Sequence, residues 1–142
     1  MTYSFVSIPA ILTVATWLAL PAQARDGDSI WFHTPSRNIN CVGTTIDNVS
    51  YMNCTLLKIS TLTVKGMNCD QERNIFFEVK KSGGAKPFCV DGDLGNIHAI
   101  TLDYGKSVTF DAIMCTASAT GMECKNSQGH GYSLSKNAQR MF

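Results

Sequence analysis

Short stretches of alternating apolar and polar residues, separated by turn-forming residues, run through most of the chain. In Ser29–His33, for example, Ile30 and Phe32 fall on the same side of an extended segment. Many short stretches of this kind are typical of an all-β sandwich or barrel. The pattern predicts strands at Ser29–His33, Ile39–Val42, Tyr51–Leu57, Ile59–Lys65, Asn74–Lys80, Lys86–Val90, Ile97–Leu102, Ser107–Phe110, Ala112–Cys115, Met122–Lys125 and His130–Leu134.

Helical periodicity is weak throughout the chain. No segment repeats apolar residues at helical spacing over the length that a core helix needs. The one helix that we consider is short, covers Lys136–Met141, and would begin with Ser135 as its N-cap. We therefore expect an all-β domain of short antiparallel strands, a small barrel or sandwich, with at most a short C-terminal helix.

The first 24 residues differ from the rest of the chain. All 12 basic and all 11 acidic residues lie from Arg25 onward. Ala10–Leu20 is an apolar run, shorter than the roughly 20 residues that span a bilayer. Pro21 and the small-x-small tripeptide Ala22–Ala24 follow it, as at a signal peptidase site. We predict a signal peptide over residues 1–24 and one domain over residues 25–142. Because no Lys or Arg precedes the apolar run, a retained N-terminal anchor is the alternative.

All six cysteines lie after the predicted cleavage site, and an even number on an exported chain indicates three disulfides. Cys41 and Cys54 flank a predicted turn, and so do Cys115 and Cys124, so each pair is suited to face across a hairpin. Of the 15 possible connectivities, we therefore predict the sequential one. A zinc site is the alternative, but the chain has no Cys-x-x-Cys pair. The predicted pairs are Cys41–Cys54, Cys69–Cys89 and Cys115–Cys124.

The charge of the chain gives no reason to expect a polyanionic partner. The formal net charge is +1, and no block of Lys and Arg is present. We expect a periplasmic or extracellular protein that binds neither nucleic acid nor, once the signal peptide is removed, a membrane. Its composition also suggests no cofactor.

Several motifs together resemble a family of exported bacterial domains of unknown function. The family's F-x-x-P-S-x-N-I-x-C opening is matched at 32–41, its L-x-Y-G at 102–105, its G-x-x-C-x-N at 121–126 and its G-H-G-[FY]-x-L-S at 129–135. Arg37 stands where the family has a turn glycine, so we expect that this turn need not adopt a positive φ. The resemblance implies an exported, disulfide-bonded, mainly β domain and implies no activity.

The histidines are the first candidates for catalytic or binding residues. His130 lies between Gly129 and Gly131, which leave its backbone flexible and its ring unshielded. It is a candidate acid/base or binding contact, and a tight turn with local hydrogen bonds is the alternative. His33 and His98 are the only other histidines. A histidine pair with a lysine would suit phosphodiester cleavage, but no spacing makes that specific.

Two further groups of residues carry alternative interpretations. Asp91, Asp93 and Asn96 offer oxygens at short spacing, yet the pattern lacks the glycine and glutamate of a calcium-binding loop, so a turn is the default. The aromatic side chains beside predicted turns are either partner anchors or core residues. They are Trp31, Phe32 and Tyr104.

No catalytic constellation emerges from these motifs. The chain has no Gly-x-Ser-x-Gly sequence, and every cysteine has a predicted partner. We therefore predict a non-enzymatic binding or inhibitory module whose partner is another protein or an envelope component. The alternatives are a small hydrolase using His130 with Asp103, and a structural envelope component. The expected binding surface comprises Pro35, Ser36, Arg37, Asn38, Tyr104 and His130.

Overall fold

The computed structural model describes residues 28–70 and 73–142. The predicted signal peptide and its cleavage site lie outside these residues. Within them the chain forms strands and no helix, and so has no helix long and apolar enough to cross a membrane. The strands are β1 (Ser29–His33), β2 (Ile39–Ile46), β3 (Val49–Leu56), β4 (Arg73–Lys80), β5 (Lys86–Asp91), β6 (Ile100–Thr101), β7 (Ser107–Phe110), β8 (Ile113–Ser118), β9 (Gly121–Asn126), β10 (Gly131–Ser135) and β11 (Gln139–Met141).

The described strands form two sheets that pack as a sandwich and do not close into a barrel. Sheet A has the order β5-β4-β3-β2-β1-β6, and sheet B has the order β11-β10-β9-β8-β7. All neighbouring strands are antiparallel except β1 and β6, which are parallel. The alternation seen in the sequence follows from this arrangement, because one face of each sheet packs on the other sheet.

Two disulfides lie at the centre of the sandwich. Cys41 is directly opposite Cys54 on β2 and β3, and Cys115 is directly opposite Cys124 on β8 and β9. The sulfurs of Cys54 and Cys124 are 3.8 Å apart, so the disulfide of one sheet contacts that of the other. Each of these four cysteines is fully buried. The cross-links therefore form part of the apolar core as well as joining strands within each sheet.

The third disulfide joins Cys69, in the segment between β3 and β4, to Cys89 of β5. The structure thus has the sequential connectivity that the sequence predicted. No free cysteine is found among the described residues. This disulfide holds the 57–70 segment against the β5 side of the sandwich.

Aromatic side chains complete the core around the disulfides. The rings of Phe77 and Tyr132 are 6.0 Å apart and both are fully buried. The Tyr132 hydroxyl donates a hydrogen bond to the carbonyl oxygen of Met52 at 3.2 Å, so its polar atom is satisfied inside the core. Burial raises the pKa of Tyr132 well above its ordinary value, and the nearby Glu78 carboxylate adds to this shift. The side chain therefore stays neutral at physiological pH.

Two strand predictions differ from the structure. Ile59–Lys65 is not a strand, although its β-branched residues favour one. The segment instead bonds to Gln139 of β11 through Thr63, whose amide and hydroxyl both contact it. Of the strand expected at Ile97–Leu102, only the two residues of β6 pair with a neighbour.

The short C-terminal helix over Lys136–Met141 does not form. The Ser135 hydroxyl accepts a bond from the amide of Ala138, as an N-cap would. The amide of Ser135 donates to the carbonyl of Ala138, however, which turns the chain back as a hairpin. Gln139–Met141 then pairs with β10 as β11 because this register satisfies its backbone.

The strand directions divide the connections between two ends of the sandwich. The first, which we call the groove end, carries the β1–β2, β8–β9 and β10–β11 turns and residues 102–106. The second, which we call the far end, carries the β2–β3, β4–β5, β7–β8 and β9–β10 turns. A strand of six residues such as β9 separates the two ends by about 20 Å.

Candidate functional site

A groove of about 450 Å³ opens at the groove end of the sandwich. This size falls within the range of small-ligand sites. Turns from both sheets form its walls, so the groove exists only because the two sheets pack together. Its lining residues are Thr34, Ser36, Asn38, Ile39, Leu56, Tyr104, Ser118, Ala119, Thr120, Gly121, Ser135, Lys136 and Asn137.

The β1–β2 turn forms one wall of the groove, and Thr34 organises it. The Thr34 amide donates to the carbonyl of Ile39, and its hydroxyl accepts a bond from the Ile39 amide. Arg37 at the tip of the turn has a φ of 56°, so the expectation that this turn need not adopt a positive φ is wrong. The amide of Arg37 bonds to the carbonyl of Thr34, and this closure of the turn holds Arg37 in the left-handed region.

The side chain of Asn38, in the same turn, is used for structural hydrogen bonds. Its side-chain oxygen accepts a bond from the Lys58 amide at 2.8 Å, and its side-chain nitrogen donates to the Lys58 carbonyl at 3.3 Å. These bonds fix the start of the 57–70 segment. Ser36 and Arg37 are therefore the polar side chains of the turn that remain exposed for a ligand, beside Pro35.

The opposite wall contains Tyr104 at the tip of a β-turn. The amide of Lys106 donates to the carbonyl of Asp103, and Gly105 supplies the positive φ, 82°, that the turn requires. The turn is anchored to both sheets, since the Leu102 amide bonds to His33 of β1 and the Gly105 amide bonds to Ala117 of β8. The Tyr104 side chain is 43% exposed beside the groove. A rigid backbone therefore presents an accessible aromatic ring.

Other polar residues that line the groove include hydroxyl-bearing residues and one lysine. Ser118 and Thr120 in the β8–β9 turn, and Ser135 at the end of β10, contribute the hydroxyls. Lys136 is the one charged residue that lines the groove, and its carbonyl accepts bonds from the amides of Ser60 and Thr61. These two bonds fix the backbone from which the lysine side chain extends.

His130 lies at the far end of the sandwich, in the β9–β10 turn, and is exposed. The side chain of the buried Asn126 organises this turn, because its oxygen accepts bonds from the amides of Gln128 and His130. The nitrogen of the same side chain donates to the carbonyls of Lys80 and Gly83 in the β4–β5 connection. Asn126 thus links the two sheets at the far end, and His130 belongs to a structural turn.

The expected binding surface is accordingly split in two. Ser36, Asn38 and Tyr104 meet at one groove, with Pro35 and Arg37 in the same turn as Ser36. His130 is about one strand length away from them. Asp103 is also at the groove end, so the pairing of His130 with Asp103 that a hydrolase would need is not formed.

The other histidines show no catalytic arrangement with His130. His33 is buried, and its Nδ1 lies 2.8 Å from the carbonyl oxygen of Thr34. His98 is exposed in the segment between β5 and β6. Its amide bonds to the side chain of Asn96, which forms a local turn.

The residues considered for calcium make local contacts. Asp91 forms a salt bridge of 3.2 Å with Arg73, and Asp93 accepts a bond from the amide of Gly95. In the described part of the chain one cluster has the spacing of metal ligands, formed by the sulfurs of Cys54, Cys115 and Cys124. All three are in disulfides, so none is a thiolate that could bind a metal.

Comparison with known proteins places the chain in a family. The model of a family of unknown function, DUF6636, matches residues 10–142. The chain belongs to DUF6636. The resemblance seen in the sequence motifs is thereby confirmed, and the structure gives each motif a position. No curated protein and no solved structure matches the chain.

The DUF6636 motifs mark turns at both ends of the sandwich. The 32–41 and 102–105 motifs form two walls of the groove, whereas Asn126 and the Gly-His-Gly sequence form the far-end turn. The sequence missed Ser118, Thr120, Ser135 and Lys136 as site residues. Hydroxyl-bearing turns recur throughout the chain, and only the packing of the sheets brings these turns together with Tyr104.

Proposed function

We propose that this DUF6636 protein is an exported, non-enzymatic binding module that holds its partner at the groove. The observation that carries the proposal is the meeting of Ser36, Tyr104 and Lys136 from three separate connections at one groove. Their turns are fixed by backbone hydrogen bonds, so little conformational entropy is lost on binding. The partner is another protein or an envelope component.

Export is supported by the three disulfides, which are typical of exported proteins. The signal peptide over residues 1–24 and the periplasmic or extracellular location complete this part of the proposal. We expect the product recovered outside the cytoplasm to begin at Arg25 and to have the mass of a chain that has lost six hydrogens. Intact-mass measurement tests this, and a product that retains residues 1–24 or has free thiols contradicts it.

The binding role is tested by comparing variants at the two ends of the sandwich. Tyr104→Ala removes the exposed ring. Asn137→Trp is designed to fill the groove from a lining residue whose side chain forms no hydrogen bond with the described residues. Each change is expected to weaken partner capture from periplasm or culture medium about tenfold or more, the loss usual for a central interface residue. Capture is measured with the oxidised protein immobilised and the bound fraction quantified.

His130→Ala is the matched control because His130 is also exposed and lies at the far end. This variant should capture the partner as well as the original protein does. Capture that is lost in His130→Ala and unchanged in both groove variants would refute the proposed site. Thermal melting of each variant checks that the fold is kept.

A further inference from the structure

We propose that the groove binds an acidic oligosaccharide, with Lys136 pairing with a carboxylate and Tyr104 stacking on a sugar ring. This inference rests on the proposed binding function and adds the chemical class of the ligand. Three observations support it: the distribution of charge around the groove, the hydrogen-bonding capacity of its hydroxyls, and the way its backbone groups are already used.

Four basic residues lie in or beside the groove, together with the exposed acidic residue Asp103 next to Tyr104. Lys136 lines it, Arg37 lies between two lining residues, and Lys58 is bonded through its backbone to Asn38. Lys106 precedes β7 and accepts a bond from the amide of Ala117, next to the lining Ser118. Within residues 28–70 and 73–142, none of these four cations forms a salt bridge.

Three lysines at the far end lie beside carboxylates, whereas the ammonium group of Lys80 lies over the ring of Tyr51. Lys81 lies 3.9 Å from the carboxylate of Asp111, and Lys86 lies 3.5 Å from that of Glu78. Lys125 lies 3.7 Å from the carboxylate of Glu123. No lining residue of the groove is acidic. Around the groove, four basic residues without a salt bridge in the described structure lie near one such acidic residue, Asp103, and this local excess of positive charge favours an anionic ligand.

Two of the groove hydroxyls, those of Ser118 and Ser135, are available mainly as acceptors. A hydroxyl has one proton to donate and two lone pairs to accept with. Ser135 donates to the carbonyl of Ala138 and accepts from its amide, so one lone pair remains. Ser118 accepts from the Gly121 amide and has Thr120 and the Gly121 carbonyl in reach of its proton. These positions suit a ligand that brings hydrogen-bond donors of its own, as the hydroxyls of a sugar do.

Three backbone amides beside the groove are already bonded within turns and cannot pair with an extended peptide. The amides of Thr34 and Arg37 bond within the β1–β2 turn, and the amide of Ser135 bonds across the β10–β11 turn. A peptide that binds by adding a strand needs a row of unpaired backbone groups. A saccharide, which binds through hydroxyls, carboxylates and the apolar face of its ring, needs none, and the exposed ring of Tyr104 provides a flat surface for that face.

Titration calorimetry with hexagalacturonate, an acidic oligosaccharide, tests the proposal on the oxidised protein. We expect binding that weakens about tenfold in Lys136→Ala, as for the loss of one charge-assisted contact, and similarly in Tyr104→Ala. Binding should also weaken at an ionic strength of about 1 M, where the screening length is roughly 3 Å. Lys125→Ala, at the far end and paired with Glu123, is the control and should bind as the original protein does.

Neutral maltohexaose and hexaglutamate serve as comparison ligands. Equal binding of maltohexaose would show that charge plays no part and would overturn the proposal. Binding of hexaglutamate without hexagalacturonate, or no binding of hexagalacturonate by the folded protein, would overturn the ligand class. If the groove variants still reduce partner capture in that case, the binding function stands and only its ligand class is wrong.

Discussion

Replacing both Cys41 and Cys54 by Ala is expected to lower the free energy of unfolding by about 3–5 kcal/mol. Loop closure over their separation of 13 residues contributes about 3 kcal/mol. The rest comes from the space left in the core, because these sulfurs are fully buried and Cys54 contacts Cys124 of the other sheet. A small domain has a total stability of about 5–15 kcal/mol, so this loss is a large part of it. Urea denaturation of the oxidised proteins measures the change.

The Cys69–Cys89 disulfide provides the matched comparison. Its separation of 20 residues is longer, so loop closure alone predicts that its removal costs slightly more. Both of its cysteines are only partly buried, and no second disulfide contacts it in the described structure. We therefore expect Cys69→Ala with Cys89→Ala to cost less than the Cys41 and Cys54 replacement. The opposite order would contradict a packing role for the two central disulfides.

Gly131→Ala is expected to destabilise the protein by about 3 kcal/mol or more, as severe overpacking does. A Cβ atom at Gly131 would lie 2.0 Å from the carbonyl oxygen of Cys124 on the adjacent strand. That neighbour is backbone, so relief requires β9 and β10 to separate where Asn126 organises their turn. Chemical denaturation curves of the variant and the original protein measure this loss.

Gly129→Ala, two residues away, distinguishes the destabilisation caused by steric crowding from the destabilisation caused by a positive φ. Gly129 has a φ of 84°, and a Cβ atom added there would meet open space, so alanine costs only the conformational penalty of about 1–2 kcal/mol. We expect the Gly131 variant to be clearly less stable than the Gly129 variant. Equal losses would mean that the close approach of Gly131 to β9 does not limit this turn.

Much of the fold follows from local sequence. The hairpin disulfides were predictable because Cys41 and Cys54, like Cys115 and Cys124, lie on strands that pair through one short turn. In the β2–β3 turn, Asp47 and Asn48 both adopt positive φ, which suits the hairpin turn that they form. Strand pairing across one turn depends on neighbours in the sequence, so periodicity and turn residues suffice to predict it.

Features that depend on distant partners were not predictable in this way. Ile59–Lys65 has the composition of a strand, yet its contacts are made with Gln139, which is 76 residues away from Thr63. The two glycines around His130 suggested flexibility, but Gly131 is required by its close approach to β9 and only Gly129 has a positive φ. In each case tertiary packing decides the role of a residue whose local signal is ambiguous.

Only part of the candidate site could be predicted from the sequence, because the rest depends on tertiary packing. Motifs identified Ser36 and Tyr104 because turn residues mark both positions. Nothing local indicated that His130, in an equally distinctive motif, lies at the other end of the sandwich. Lys136 was not predicted as a site residue because a single lysine in a turn has no distinctive sequence pattern. Only the packing of the two sheets brings it to the same groove as Tyr104.

The most direct test of the account is amide hydrogen–deuterium exchange of the oxidised protein, alone and with the partner that it captures. We predict that binding slows exchange at the groove end, in residues 34–38, 103–106, 118–121 and 135–137. Exchange in residues 126–131 should stay unchanged. Protection centred on residues 126–131, with the groove end unaffected, would show that the partner binds the far end and would contradict the account.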